Sequence, residues 1–376
     1  MKFLSKQVAI VTLVLFGFAC SPAKVQESEK GLKDFYVDGF LIGTALNLNQ
    51  INGIDARGVD LTKQHFNAIT PENHTKWELI QPVEGEFDFE AADAFVAFGQ
   101  ANNMHMVGHT LVWHSQTPRW VFQDAEGNLV DRETLIERMR THIHTVVGRY
   151  KGKIHAWDVV NEAVNDDGTI RETLWYRIIG KEYLTLAFQF AREADPDAIL
   201  IYNDYSLEIP EKRAATVELV KYVRENGGEV DAVGTQGHFS LDWPDLDWIE
   251  QTVLDFADLG VDVMITELDI DVLPPAFDYM GADVNMRAEL NETLNPFADG
   301  LPQDVQDQLT ERYRSIFEIY WNHRDKISRV TFWGVTDADS WKNNWPVVGR
   351  TNYTLIFDRD GQPKPAFQAI SEIPAQ

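Results

Sequence analysis

A single cysteine, Cys20, stands in the 376-residue chain, so no internal disulfide can form. Positive charge is scarce. Against 33 Lys and Arg there are 59 Asp and Glu, a net charge of −26, which makes nucleic acid and other polyanions poor partners. No self-similarity recurs at a fixed period, which excludes a solenoid. No glycine-rich phosphate loop follows the first predicted strand, and no nucleophilic Ser or Cys motif is present. What the chain does have is apolar material: 44% of its residues, with eleven Trp and 21 Phe, enough for one large α/β domain or two small ones. Aromatics in such surplus often line sites that stack flat apolar faces.

At the amino end, Lys2 and Lys6 precede an uncharged run, residues 8–19, and then Cys20. That run is too short to span a bilayer, which takes about 20 residues. It reads as a signal peptide over 1–19, with 20–30 as a polar tether and 31–376 as the folded domain. Phe18-Ala19-Cys20 resembles the lipobox of bacterial lipoproteins, although Gly17 departs from the usual Leu. The expectation is a lipid anchor on Cys20 and a membrane-attached exported protein. An ordinary signal peptide with secreted or periplasmic release is the alternative.

Eight apolar runs follow, at 40–46, 66–71, 104–113, 154–160, 199–202, 232–235, 261–266 and 330–335. Amphipathic stretches such as 132–150, 174–194, 210–226 and 305–321 separate them. Pro210 and Pro244 suit first helical turns, and Gly227-Gly228 suits a helix end. An uninterrupted β-then-α series predicts a (β/α)8 TIM barrel, an α/β fold in a single domain. A doubly wound sheet is the alternative.

Two stretches carry the chemistry: Trp157-Asp158-Val159-Val160-Asn161-Glu162 and Ile265-Thr266-Glu267-Leu268-Asp269-Ile270. Each is an apolar run that breaks into carboxylates where a barrel strand would emerge at the catalytic mouth. Other strand ends deliver polar or aromatic residues there too: Glu72, Asn73 and Lys76; His109, Trp113 and Gln116; Asn203 and Tyr205; Gln236 and His238; Trp333 and then Trp341. A metal site on His109, His114 and His238 is disfavoured. The first two, five apart on a strand, would face opposite sides, and no third ligand has metal-like spacing. No metal or cofactor is expected.

Two carboxylates, neutral polar side chains and Trp platforms for sugar rings point to glycoside hydrolysis. One acid must be protonated and the other ionised, so their surroundings must push the two pKa values apart. A hydrogen bond from His238 would keep Glu267 charged, making it the nucleophile and leaving Glu162 as acid/base.

The runs 66–73, 108–116, 157–162 and 265–269, with Leu355-Ile356-Phe357-Asp358 and Pro363-Lys364-Pro365-Ala366-Phe367, resemble the motifs of family 10 glycoside hydrolases, the retaining endo-β-1,4-xylanases. The resemblance covers residues 31–370. It implies hydrolysis of xylan and xylo-oligosaccharides by a monomer, with Glu162 as acid/base and Glu267 as nucleophile. Asn161 would bond the sugar 2-hydroxyl, while His238 and Asp269 would tune Glu267. His109 and Asp158 would form a supporting network. Glu72, Asn73, Lys76, Gln116, Trp333 and Trp341 would hold the glycone, with Trp113 beneath the reacting ring. Gln236, Asn203 and Tyr205 would line the leaving-group side. His74-Thr75 departs from the Glu-Met common in the family. A binding-only barrel and a glycosidase for another β-1,4-glycan remain as alternatives. The long acidic connection 272–303 either shapes the leaving-group side of the cleft or decorates it.

Overall fold

The computed structural model describes residues 30–275 and 292–375. The expectations for residues 1–19, for Cys20 and for most of the tether lie outside the described residues, as do residues 276–291 of the acidic connection.

Nine parallel strands occur among the described residues: β1 (Leu41–Leu46), β2 (Ala68–Pro71), β3 (His105–Val112), β4 (Ala156–Asn161), β5 (Ile199–Asp204), β6 (Ala232–Thr235), β7 (His238–Ser240), β8 (Asp262–Asp271) and β9 (Ile327–Phe332). Strands β1 to β6 pair in sequence, β6 pairs with β8, β8 with β9 and β9 with β1, closing an eight-stranded barrel. Helices cover its outside. They include α1 (Ala56–His65), α2 (Glu90–Ala101), α3 (Arg132–Arg149), α4 (Leu174–Ile179), α5 (Glu182–Ala194), α6 (Pro210–Glu225), α7 (Leu246–Ala257), α8 (Gln303–Asn322) and α9 (Pro365–Ser371). Their starts follow local chemistry. The Asp131 carboxylate caps α3 by accepting from the Thr134 N–H, Thr173 caps α4, and Pro210 opens α6, where a missing N–H does no harm. The predicted TIM barrel is the observed fold.

Two apolar layers hold it. The larger lies between barrel and helices, with Trp157, Phe188, Tyr202, Phe317 and Phe332 all buried. The smaller takes one residue from each of five strands, Val107, Ala156, Ile201, Ala232 and Met264, and fills the lumen. Side chains alternate along a strand, so the next inward positions are His109, Asp158, Asn203, Gly234 and Thr266. The apolar floor thus carries a polar layer. Gly234 is required there, because a Cβ would come within 2.6 Å of the Asn203 oxygen and 2.7 Å of the Thr266 methyl.

Above that layer the strands stop being regular. Register shifts fall between Asp158 and Val160 against β5, and between Ile265 and Leu268 against β9. Irregularities of this kind re-aim side chains. Here Thr266 and its neighbour Glu267 both reach the Asn203 side chain, at 2.6 and 2.9 Å, which an unbroken strand forbids.

Several boundaries differ from the sequence reading. β8 runs on to Asp271, so Glu267 and Asp269 sit within it, not after it. β9 begins at Ile327 and ends at Phe332, leaving Trp333 just beyond. The stretch 174–194 is two helices, interrupted at Gly180, whose φ of +88° suits glycine. Pro244 lies outside α7, which Asp245 precedes as N-cap. His109 and His114 do not share a strand, since β3 ends at Val112. Strand β7 was not anticipated. The chain leaves the barrel after Thr235, turns through Gly237 at φ +81°, and pairs with the far half of β8 with His238 opposite Asp269.

Candidate active site

Glu162 follows the last residue of β4 with φ +59°, a left-handed conformation that costs a non-glycine residue about 1–3 kcal/mol. Its N–H donates to the Asn203 carbonyl at 2.9 Å. Its carboxylate takes three neutral N–H donors: Trp113 Nε1 to Oε2 at 2.9 Å, Gln236 Nε2 to Oε1 at 3.0 Å, and Asn161 Nδ2 to Oε1 at 3.2 Å. The side chain is buried.

Glu267 is equally buried and differently partnered. Its Oε1 accepts from Asn203 Nδ2 at 2.9 Å, and its Oε2 lies 3.2 Å from His238 Nε2. The other ring nitrogen of His238 is 3.0 Å from Asp269 Oδ2, which also accepts the Trp341 indole N–H at 2.8 Å. Burial pushes the Glu267 carboxyl upward, but the His238 hydrogen bond, the charges of His109 and His238 and the Asn203 bond hold it below the usual value. Asp269 is lowered in the same way. Burial opposes its charge, and His238, Lys342 and the Trp341 bond outweigh it. For His238, burial favours the neutral ring, yet Asp269 and then Glu267 raise it to about 9.

Two amides join the two carboxylates. Asn203 Nδ2 donates to Glu267 and, at 2.9 Å, to the Asn161 oxygen, while the Asn161 amide reaches Glu162. His109 lies beneath, with Nδ1 2.8 Å from Asp158 Oδ2. The Thr75 hydroxyl donates to the His109 carbonyl at 2.6 Å and accepts from its N–H at 2.9 Å. Thr75, which breaks the family pattern, thus fixes the main chain at His109.

On the other flank Lys76 Nζ donates to Asn73 at 2.9 Å and Gln116 at 2.8 Å, and sits 5.2 Å from the Trp113 ring centroid. Burial lowers its pKa, while the charges of Glu72, Glu267 and Glu162 push back. Burial likewise raises Glu72, with Lys76 opposing. Trp333 packs edge-on to His109 at 5.3 Å. Trp341 lies 5.0 Å from the His238 ring and stacks on Trp345 at 4.8 Å. Tyr205 closes the opposite side, its hydroxyl accepting from Arg171 at 2.8 Å. The structure therefore gathers the expected set. His114 packs edge-on to Trp113 at 5.9 Å and lines a cavity of about 280 Å³ with Phe122, Arg171, Glu172, Thr173 and Leu174.

Four groups escaped the sequence reading. Thr75 and Trp345 act through neighbours that were chosen for their own chemistry. Asp204, fully buried and 3.0 Å from Lys212 Nζ, stood in the strand-five end without a role, and its side chain accepts the Val164 N–H. Arg171 lies nine residues past Glu162 in a loop with no periodic signal.

A parallel barrel whose mouth joins two buried carboxylates, one beside a protonated imidazole, defines a barrel glycoside hydrolase in architecture. The comparisons place it more closely. The model of glycosyl hydrolase family 10 matches residues 31–373. Endo-1,4-beta-xylanase A of Xylanibacter ruminicola is 46% identical over 93% of this chain and 95% of its own length. The endo-1,4-beta-xylanase of Geobacillus stearothermophilus is 42% identical over 91% and 98%. A family 10 endoxylanase structure from a sugarcane soil metagenome superposes with a TM-score of 0.87 at 46% identity, over 92% of this chain and 99% of that one. The chain belongs to glycosyl hydrolase family 10.

The His238 environment makes a pH prediction. The folded value lies above the ordinary 6.5, so protonated His238 contributes stability that is full below pH 6.5 and lost as pH rises through about 9. NMR titration of the ring in the native enzyme should give a midpoint near 9. The stability difference between wild type and His238→Asn should shrink over that interval. A ring midpoint at or below 6.5 would contradict the arrangement.

Proposed function

We propose that the protein is a retaining endo-1,4-β-xylanase, in which Glu267 is the nucleophile and Glu162 the acid/base. The observation that carries the assignment is the asymmetry of partners. Glu267 faces a protonated imidazole backed by a carboxylate, which holds it ionised. Among the described residues the Glu162 carboxyl has only neutral direct donors. In the first step the Glu267 carboxylate attacks the anomeric carbon, and Glu162 gives its proton to the departing sugar oxygen. In the second, Glu162 takes a proton from water as water displaces Glu267. Asn161 bonds the 2-hydroxyl of the reacting sugar in this reading. Glu72, Asn73, Lys76 and Gln116 offer donors and acceptors to glycone hydroxyls, with Trp333 and Trp341 as platforms and Trp113 beneath. Tyr205 and Gln236 line the leaving-group side; Asn203, expected there too, is fully buried and acts instead through Glu267 and Asn161. Xylan as substrate is supported by the relatives named as endo-1,4-beta-xylanases. A further neighbour, 36% identical with a TM-score of 0.81, is a mutant structure in complex with xylotriose.

The two roles separate by stereochemistry. In Glu162→Ala, an aryl xylobioside with an acidic phenol should still glycosylate the enzyme, while xylan loses roughly 10²–10⁴-fold. Azide should then yield a β-glycosyl azide. In Glu267→Ala, azide should attack the other face and yield the α-azide. The reverse pair of products would reverse the assignment.

We also propose that the protein is exported as a monomer and held at a membrane by lipid on Cys20, given the charged start, the uncharged run 8–19 and Phe18-Ala19-Cys20. Labelled palmitate should mark the wild type and spare Cys20→Ser. Label on both, or on neither, would replace the anchor with simple release.

A further inference from the structure

We propose that Arg171 is a positioning residue for the reaction, holding the main chain of Glu162 in the left-handed turn that aims its carboxyl. The inference rests on reading Glu162 as the acid/base.

After Asn161 the chain leaves β4, and only one more main-chain bond, Glu162 N–H to the Asn203 carbonyl, belongs to the strand pairing. The next main-chain groups leave the strand ladder and need other partners, since a buried carbonyl or N–H without one is costly. Arg171 meets three consecutive carbonyls. Its Nε donates to Glu162 O at 3.0 Å, its main-chain N–H to Ala163 O at 2.8 Å, and its Nη2 to Val164 O at 3.4 Å. The same Nη2 reaches the Tyr205 hydroxyl at 2.8 Å, tying the turn to the end of β5. The N–H groups are held from below: Ala163 donates to Tyr202 Oη at 3.2 Å, and Val164 to Asp204 Oδ2 at 3.2 Å. Donors on one side and acceptors on the other leave the 162–164 segment one conformation. Only the planar fork of arginine spans two carbonyls and a hydroxyl at once. A lysine reaches one of them. A methionine reaches none, and the Glu162 and Val164 carbonyls then lose their side-chain donor beside a backbone held at φ +59°.

A displaced acid/base harms substrates in proportion to their need for a proton. The experiment compares kcat/KM on xylohexaose and on dinitrophenyl xylobioside for Arg171→Met and Arg171→Lys, with Glu162→Ala as reference. Arg171→Met should lose roughly 10- to 100-fold on xylohexaose, the scale of a misplaced catalytic group, and keep most of its activity on the dinitrophenyl substrate. Arg171→Lys should lie between it and wild type. Because Arg171 lines the cavity of about 280 Å³ beside His114, added guanidinium has a route to the emptied site and should restore part of the xylohexaose activity. If Arg171→Met does not fold, Arg171→Lys carries the comparison. Equal losses on both substrates, or none, while Glu162→Ala still separates them would overturn the role of Arg171. Failure of Glu162→Ala itself to separate them would overturn the acid/base reading.

Discussion

Keeping a carboxylate charged inside the barrel mouth is the constraint on which this structure turns. Glu267 is 5% exposed, and burial of an ionised carboxylate is unfavourable unless a partner compensates. His238 is that partner, and Asp269 keeps His238 charged. Most departures from regular structure near the site follow from this triad. Strand β6 stops after Thr235 so that β7 can resume in register with the end of β8. Gly237 makes the turn between them. β8 runs ten residues, long enough to carry both Glu267 and Asp269. Trp341 then returns from beyond β9 to donate to the same Asp269 oxygen that His238 meets.

Charge balance extends beyond the triad. Lys76 stands among Glu72, Glu162 and Glu267, buried and raised by each of them. Deeper in the lumen Arg329 is 1% exposed, and its guanidinium bonds Thr331 and the Met264 sulfur. Burial lowers it to about 10, and the charges of Asp158 and Glu267 act against that fall. Cations therefore reach the carboxylates from beside and below, while neutral amides and indoles occupy the space between. Asn203 is central to the second group. It receives Thr266, touches Asn161 and Glu267 with one nitrogen, and so ties β4 to β8 across the barrel mouth.

The eight barrel strands and the site were legible where residue type alone carries the signal. The apolar run breaking into Glu162 marked the end of β4, the one breaking into Glu267 marked β8 though not its end, and indoles at Trp113, Trp333 and Trp341 marked the mouth. What stayed hidden depends on irregular geometry. Strand β7 is three residues long, with no apolar alternation to announce it, and its existence follows from Asp269 needing a neighbour. The break at Gly180 lay inside a continuous amphipathic pattern. Arg171 and Thr75 bond main-chain atoms, whose positions appear only once the register shifts in β3, β4 and β8 are drawn. Gln236 was expected beside the leaving group, and the structure also gives it a direct bond to Glu162.

The central claim is that Glu267, held charged by His238, forms the covalent link to the sugar. A xylobioside carrying fluorine at C2 and a dinitrophenyl leaving group tests it most directly. The fluorine slows both steps, and the good leaving group lets the first proceed, so the glycosyl-enzyme accumulates. Mass spectrometry of the digested protein should find one added fluoroxylobiosyl group, on the peptide containing Glu267 and on that side chain. Label on Glu162, or inactivation with no covalent adduct, would contradict the account.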